Sequence, residues 1–417
     1  MDSDGTAEPI RAERAAAALG ADGYIGQFDA YRVVACAAVV LQHSLLWTVA
    51  GGNVVAWAFV MLLHFSRTAF FFLSSLLLTY TQLTRPRSTL SFWKRRFVQL
   101  GVPYLAWTTI YWVDTLLTAG GAPSRAWPLF WHDLVYGYYQ LYFAAVLLQL
   151  YVVWPFLFRF LRARRHHGRV MAVSLFVALL LAADLHWPGA FGVVGHATVR
   201  VESMYPWARD PFTYQEQFVA GILVGLHLDQ IGAFVRRWGR AVVTTGAALG
   251  VAATLWYLVA VWTGSSTGRA SDLYQPIAFL WFTGAVAALE CLTWWWWQRV
   301  GPRDGGPPGR WARVATKLSD LTSGIFFSHV LFITPVRSAL DDWGIASHVG
   351  WAGTVALTYV ATLALAGGFT ALVLKTPARW VLTGPLRAEQ RRRLGTSSEE
   401  RGAIRAHELA GAGATVP

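Results

Sequence analysis

Long, continuous apolar stretches are the feature that most constrains what this chain can fold into. A helix needs about 20 mostly apolar residues to cross the hydrocarbon core of a bilayer. Ten stretches of about that length run through residues 28–49, 55–80, 97–118, 137–158, 170–184, 213–231, 241–262, 273–297, 318–336 and 347–374. The sequence therefore predicts an all-α polytopic membrane protein with a bundle of about ten transmembrane helices.

The composition excludes the main alternatives to a helical membrane protein. Hydrophobic residues make up 55% of the chain and charged residues only 14%, whereas about 25% of a soluble domain is charged. A transmembrane β-barrel would show segments of about ten residues with alternating polarity. The apolar stretches here are longer and unbroken, so helices are predicted.

The charged residues predict the orientation of the chain, because Lys and Arg are retained on the cytoplasmic side of a membrane. With the N-terminus inside, 28 of the 35 Lys and Arg residues fall in inner segments and five in outer loops. This distribution predicts an even number of spans with both termini cytoplasmic. It also accounts for the net charge of +12 without a nucleic-acid partner.

Polar segments flank the apolar region and define three parts of the chain. Residues 1–27 form a polar cytoplasmic tail, residues 28–375 the transmembrane domain, and residues 376–417 a basic cytoplasmic tail that we expect to be disordered. Cys36 and Cys291 both lie within apolar stretches, which excludes a disulfide framework. No spacing typical of metal ligands is present, so no metal site is predicted.

The first apolar stretch carries three ionisable residues, Asp29, Arg32 and His43. Arg32 and His43 are eleven residues apart, within about 20° of three whole helical turns, so both side chains should share one face about 16 Å apart along the axis. Asp29 lies one turn before Arg32 and can pair with it. Such a face suits a long anionic ligand, with its charged end at the inner surface and its reactive end at the imidazole.

The same three residues also allow a purely structural interpretation. Arg32 can be a cation retained at the cytoplasmic surface and paired with Asp29, while His43 can be a polar group that packs two helices together. The spacing of these residues does not decide between the two interpretations.

The first stretch contains a motif in which ten residues separate an arginine, Arg32, from a histidine, His43. Five further motifs follow it along the chain. They are SRTAFFFLSSL at 66–76, FWKRRFVQLGVPY at 92–104, YQLYFAAVLLQLYVVWP at 139–155, QFVAGILVG at 217–225 and LSDLTSGIFFSH at 318–329. With these motifs in this order, the sequence resembles the integral-membrane acyltransferase-3 family over about residues 27–375. Three positions depart from the family pattern. Ser75 replaces the usual Gly, and Gln99 replaces a frequent basic residue. Tyr139 replaces a frequent His that could bind the acceptor.

The resemblance implies transfer of an acyl group, commonly acetyl from acetyl-CoA as co-substrate, to a hydroxyl. The acceptor would be a sugar, a cell-surface glycan or a small natural product. His43 would act as the general base, with Arg32 and Asp29 in the same site, because imidazole is suited to proton transfer at neutral pH. Alternatively, His43 would itself take the acyl group and pass it on.

A CoA donor would need cations for its phosphates at the cytoplasmic face. The residues expected to supply them are Arg32, Arg67, Lys94, Arg95 and Arg96. For the three at 94–96, the alternative is ordinary positive charge at the entrance of a span. Two further residues each have two possible roles. His329 is either a hydrogen bonder between helices or part of the site, and Glu290 is either a second proton acceptor or an interfacial group.

The resemblance and the composition together predict a multi-pass protein of the plasma membrane, here a bacterial inner membrane, in contact with lipid. Another class of function uses the same polar residues, because buried polar groups in a helical bundle also mark the path of a transporter or flippase for a glycan or small molecule. A non-enzymatic membrane subunit is a third alternative. Neither internal repeats nor paired broken helices, which transporters typically show, are visible in the sequence.

Overall fold

The computed structural model describes residues 26–49, 51–118, 123–187, 209–302 and 308–384. All regular structure within these residues is helical. Of the two polar tails predicted at 1–27 and 376–417, the structure describes only residues 26–27 and 376–384. Residues 376–384 belong to the tail expected to be disordered, and they contain the helix Arg379–Leu382. The rest of both tails lies outside the described residues.

Fifteen helices, numbered in chain order, make up the described residues. The first eight are α1 Gln27–Thr48, α2 Val54–Leu63, α3 Phe65–Thr84, α4 Thr89–Arg96, α5 Val102–Thr118, α6 Pro123–Tyr136, α7 Tyr142–Arg162 and α8 His167–His186. The other seven are α9 Gln215–Leu226, α10 Ile231–Trp262, α11 Thr267–Ala270, α12 Pro276–Val300, α13 Arg310–Asp342, α14 Ile345–Val373 and α15 Arg379–Leu382. A π-helical turn at Phe97–Gly101 precedes α5, and 3₁₀ turns lie at Tyr139–Leu141, Pro211–Tyr214 and Leu228–Gln230.

Eight helical segments in the described residues are long and apolar enough to cross a membrane. They are Gln27–Thr48, Val54–Thr84, Ala126–Arg162, His167–His186, Leu228–Trp262, Pro276–Val300, Arg310–Asp342 and Ile345–Val373. The other two predicted stretches are also helical but shorter, since α5 has 17 residues and α9 has 12. Within the described residues, the prediction of an all-helical protein with multiple helices able to span a membrane is confirmed. The count of ten and the cytoplasmic position of the termini stay predictions.

The short helix α9 packs directly on the backbone of α3. A Cβ atom added to Gly221 of α9 would lie 2.0 Å from Ser75 Oγ and 2.2 Å from the Phe72 carbonyl oxygen of α3. No side chain larger than hydrogen fits at such a distance, and small residues are what allow membrane helices to approach this closely. Gly221 therefore determines how α9 lies within the bundle.

Helix α1 lies in the interior of the bundle, against α2, α3, α12, α13 and α14. Phe28, Tyr31 and Ala35 on this helix are 1%, 0% and 0% exposed. This central position brings the C-terminal half of α1 against α13 and against the connection between α6 and α7. The candidate site is built at that junction.

Candidate active site

The centre of the site is a pair of histidines contributed by two different helices. His43 Nδ1 on α1 lies 2.6 Å from His329 Nε2 on α13. The two rings are nearly parallel, with an interplanar angle of 4° and centroids 4.9 Å apart. His329 is fully buried, whereas His43 is partly exposed and lines a cavity. A short hydrogen bond thus connects the ring at the cavity to a ring in the core.

The surrounding hydrogen bonds assign the protons of this pair when both rings are neutral. His329 Nδ1 lies 3.0 Å from the Ile325 carbonyl oxygen, and a carbonyl oxygen only accepts, so this nitrogen carries the proton. His329 Nε2 then holds a lone pair and accepts from His43 Nδ1–H. The remaining nitrogen, His43 Nε2, keeps its lone pair and is the basic atom of the pair.

Two aromatic side chains hold the His43 ring in place. The Tyr139 ring lies 5.2 Å from the His43 ring and the Trp47 ring 6.1 Å from it, measured between centroids. Tyr139 and Trp47 also contact each other edge to face, with centroids 4.4 Å apart. Tyr139 replaces a histidine that is frequent in the family motif, and the structure places it directly against the candidate base.

The cavity beside His43 has a volume of about 340 Å³, within the range typical of small-molecule sites. Its walls come from α1, from α2 and α3, from residues 139–143, from the connections that precede α9 and α12, and from α13. Its polar lining includes Gln42, His64, Arg67, Arg209 and Asp272. A small polar molecule that enters this cavity would therefore meet both the imidazole and two guanidinium groups.

Arg67 contacts two tyrosines inside this cavity. Its Nη1 donates to Tyr142 Oη at 3.3 Å, and its guanidinium carbon lies 5.1 Å from the centre of the Tyr214 ring. Arg67 Nε has no hydrogen-bond partner among the described residues. The sequence predicted that this arginine is a donor-binding residue, and the structure places it on the wall of the His43 cavity.

A second imidazole, His64, lies at the junction of α2 and α3 and also lines the cavity. Its Nδ1 lies 2.5 Å from the Val60 carbonyl oxygen and so donates to it. The Gln42 amide nitrogen lies 3.2 Å from both ring nitrogens of His64. Because Nδ1 carries the proton, Nε2 is the atom that accepts from Gln42. This second histidine is thus held by α1 on the same cavity.

Arg32 and Asp29 form a separate polar group near the N-terminal end of α1. Arg32 Nη1 donates to Asp29 Oδ1 at 3.2 Å, and the two residues are 9% and 1% exposed. Nearby on the same helix, Gln27 Nε2 donates to Glu290 Oε1 of α12 at 2.9 Å. None of these four residues lines the His43 cavity as the structure describes it. The predicted ion pair exists, and it lies apart from the histidine.

Helix α4 packs against α7. Its last three residues are the cations Lys94, Arg95 and Arg96. Trp93 Nε1 of α4 donates to the Tyr151 carbonyl oxygen of α7 at 3.0 Å. Arg96 Nη1 donates to Gln99 at 3.2 Å, the residue that replaces a frequent basic side chain of the family motif. These three cations do not line the described His43 cavity, so their contact with a donor stays a prediction.

Comparison with known proteins identifies the family of this chain. The family model described as an acyltransferase domain, acyltransferase-3, matches residues 25–371. The chain therefore belongs to the acyltransferase-3 family, as its motifs indicated. No curated protein and no solved structure matches the chain significantly.

The structure unites some of the predicted residues and adds others. His43 and Arg67 share one cavity, and His329 joins His43, whereas Asp29, Arg32 and 94–96 lie elsewhere. Three cavity residues, His64, Arg209 and Asp272, were not predicted from the sequence. His64 lies three residues before the recognised Arg67 and could have been noticed. The other two lie in connections, where no helical period marks them.

No cluster of three or more possible metal ligands occurs among the described residues.

Proposed function

We propose that the protein is a membrane O-acyltransferase that moves an acyl group, acetyl in the simplest case, from acyl-CoA to a hydroxyl. The acceptor belongs to the class of sugars, cell-surface glycans and small hydroxylated natural products. The observation that carries the proposal is the hydrogen bond between His43 and His329 on the wall of a cavity, in a chain of this family.

In the reaction we propose, His43 Nε2 accepts the proton of the acceptor hydroxyl while that oxygen attacks the thioester carbon. A carbon–oxygen bond forms, and the tetrahedral intermediate then breaks its carbon–sulfur bond. The leaving thiolate takes the proton back from His43, so the products are the ester and free CoA. His329 Nε2 accepts from His43 Nδ1–H throughout, which stabilises the imidazolium formed after the first proton transfer.

A covalent route uses the same nitrogen. His43 Nε2 attacks the thioester carbon, the carbon–sulfur bond breaks and CoA leaves as the thiolate. The acceptor oxygen then attacks the acyl carbon, the bond from that carbon to Nε2 breaks, and the hydroxyl proton passes to the freed Nε2 and from there to solvent, where it balances the charge of the thiolate. This route predicts an acyl-enzyme that accumulates when the acceptor is absent. Trapping that species by rapid quench and mass spectrometry distinguishes it from direct transfer.

For the donor, we propose that the CoA phosphates bind at the cytoplasmic end of α1. Arg32 lies at that end, about 16 Å along the helix axis from His43, and Lys94, Arg95 and Arg96 are further candidates for phosphate contacts. The acyl end of the donor would then extend along α1 to the cavity. Arg67, also predicted as a donor residue, is close to the acyl end in this arrangement.

The orientation that we propose follows from the distribution of Lys and Arg. It places both termini in the cytoplasm, and it places Arg209 and Asp272, which line the His43 cavity, toward the outer face. The donor and the acceptor would therefore reach His43 from opposite sides of a plasma membrane, the inner membrane in a bacterium.

The proposal is tested by following the thioester bond. Purified protein in lipid nanodiscs, given acetyl-CoA and a panel of hydroxylated sugars, should release CoA thiol at a rate that depends on the acceptor. The acetyl label should appear on the sugar. A transporter would leave the thioester intact, so retention of intact acetyl-CoA with every acceptor would contradict the enzymatic function.

A further inference from the structure

Two arginines of the His43 cavity are fixed to the same short connection. Residues 137–141 join α6 to α7, and Arg209 Nη2 donates to the Gly137 carbonyl oxygen at one end at 3.3 Å. Its guanidinium carbon also lies 5.5 Å from the centre of the Tyr136 ring. Arg67 Nη1 donates to Tyr142 Oη at the other end, where α7 begins, also at 3.3 Å. The connection thus presents two cations to one cavity.

The carboxylate that lines the described cavity is already occupied. Asp272 Oδ2 accepts from His186 Nδ1 at 2.9 Å, and Asp272 Oδ1 accepts from the Tyr274 backbone N–H at 3.2 Å. The protein groups that Arg67 is seen to contact are the hydroxyl of Tyr142 and the ring of Tyr214. Arg67 Nε is buried and has no hydrogen-bond partner among the described residues, and leaving a buried donor unpaired is unfavourable.

We infer that the acceptor carries a negatively charged group, a carboxylate or a phosphate, which binds to Arg67 and Arg209 while its hydroxyl faces His43. This inference rests on the proposed function and narrows its substrate class to acidic sugars or phosphorylated glycan precursors. A planar guanidinium matches carboxylate and phosphate oxygens with two parallel hydrogen bonds, and the side chains of Arg67 and Arg209 both line the cavity.

The negatively charged group bound by Arg67 and Arg209 could also be a phosphate of the donor. The placement of the two arginines favours the acceptor. Arg67 and Arg209 lie around the cavity at the His43 end of α1, whereas the buried Arg32 lies toward the other end of that helix. If Arg32 holds the CoA phosphates, the thioester end of the donor reaches His43, and no donor phosphate lies near Arg67.

The test compares two sugars that differ mainly in one charged group. Isothermal titration should show that the wild type in nanodiscs binds methyl glucuronide, or glucose 1-phosphate, at least ten-fold more tightly than methyl glucoside. In Arg67→Gln and Arg209→Gln, the ratio of the affinity for the anionic sugar to the affinity for methyl glucoside should fall toward one. Arg67→Lys should keep part of this preference for the anionic sugar. Arg337→Gln is the matched control, because Arg337 pairs with Asp341 and does not line the cavity; its ratio should equal that of the wild type.

Each other outcome overturns the inference. A wild-type ratio near one would mean that the cavity does not select for charge, and an unchanged ratio in both glutamine variants would place the anion elsewhere. A loss of acetyl-CoA affinity as large as the loss of anionic-sugar affinity would assign the arginines to the donor. These measurements are binding affinities, so they test the inference even if the protein never cleaves acetyl-CoA. Failure to cleave acetyl-CoA would contradict the proposed function, not this inference.

Discussion

His43 and His329 lie 286 residues apart in the chain, yet their ring nitrogens Nδ1 and Nε2 are 2.6 Å apart. Helix α1 supplies the ring at the cavity, and α13 supplies a buried ring whose other nitrogen is held by a backbone carbonyl group of its own helix. The pair thus fixes both the orientation and the tautomer of His43. This relationship gives the first prediction.

His329→Ala should lower kcat by about 10- to 100-fold, because a hydrogen bond to a charged group contributes about 1.5–3 kcal/mol and the imidazolium of His43 loses its acceptor. The KM for acetyl-CoA should change little. His329→Gln should recover part of kcat, since its amide oxygen can accept from His43 Nδ1–H. Steady-state kinetics on both variants checks this, and failure of Gln to improve on Ala would argue that His329 only fills space.

Arg32 should hold the donor. Acetyl-CoA affinity should weaken in the order wild type, Arg32→Lys, Arg32→Ala, with a loss of about 1.5–3 kcal/mol for Ala, because Lys keeps the charge but not the two-pronged geometry. Titration with acetyl-CoA, together with melting temperatures, measures this effect. If Arg32 only fixes α1 through its ion pair with Asp29, Asp29→Asn would lower the melting temperature as much as Arg32→Ala, with donor affinity unaltered in both.

The orientation of the chain can be read with reporter fusions. A reporter after Pro417, or within residues 303–307, should report the cytoplasm, because most Lys and Arg lie in the segments on that side. A reporter inserted between 188 and 208 should report the outer face. A C-terminal reporter that reads external would mean that the number of spans is odd.

The contact between α3 and α9 predicts a stability effect. Gly221→Ala should destabilise the protein by about 1–3 kcal/mol, since the new methyl group would overlap Ser75 Oγ and the Phe72 carbonyl oxygen. Gly368→Ala on α14 is the control, because a Cβ atom there meets nothing within 4 Å. Thermal unfolding of the two variants in nanodiscs should separate them, and equal melting temperatures would show that α3 and α9 are not in this contact.

Much of the fold follows from the sequence because apolar length alone determines which segments can cross a bilayer. Each of the ten predicted stretches contains a helix in the structure. The two shorter ones could not be told from full spans by composition. Helix α9 is apolar enough for a span, but 3₁₀ turns at Pro211–Tyr214 and Leu228–Gln230 flank it, and turns of that kind depend on tertiary packing.

The sequence could predict single site residues and pairs within one helix, but not contacts between helices. The Asp29–Arg32 pair follows from helical spacing, and His43 stood out as a polar residue in an apolar stretch. His329 was noticed as a hydrogen bonder between helices or part of the site, but its pairing with His43 was not predicted, because that contact is set by how α1 and α13 cross. Arg209 and Asp272 lie in connections between helices, and only the folded chain brings them to the cavity.

The central claim is that His43 is the group through which the acyl transfer proceeds, and substitution of this one side chain tests it most directly. CoA release from acetyl-CoA with a productive acceptor should be compared between wild type, His43→Ala and the control His348→Ala, whose histidine is exposed and does not line the cavity. His43→Ala should insert and fold yet lose roughly 10²–10⁴-fold in rate, the contribution typical of a general base, while His348→Ala keeps wild-type activity. A rate for His43→Ala within a few-fold of wild type would contradict the account.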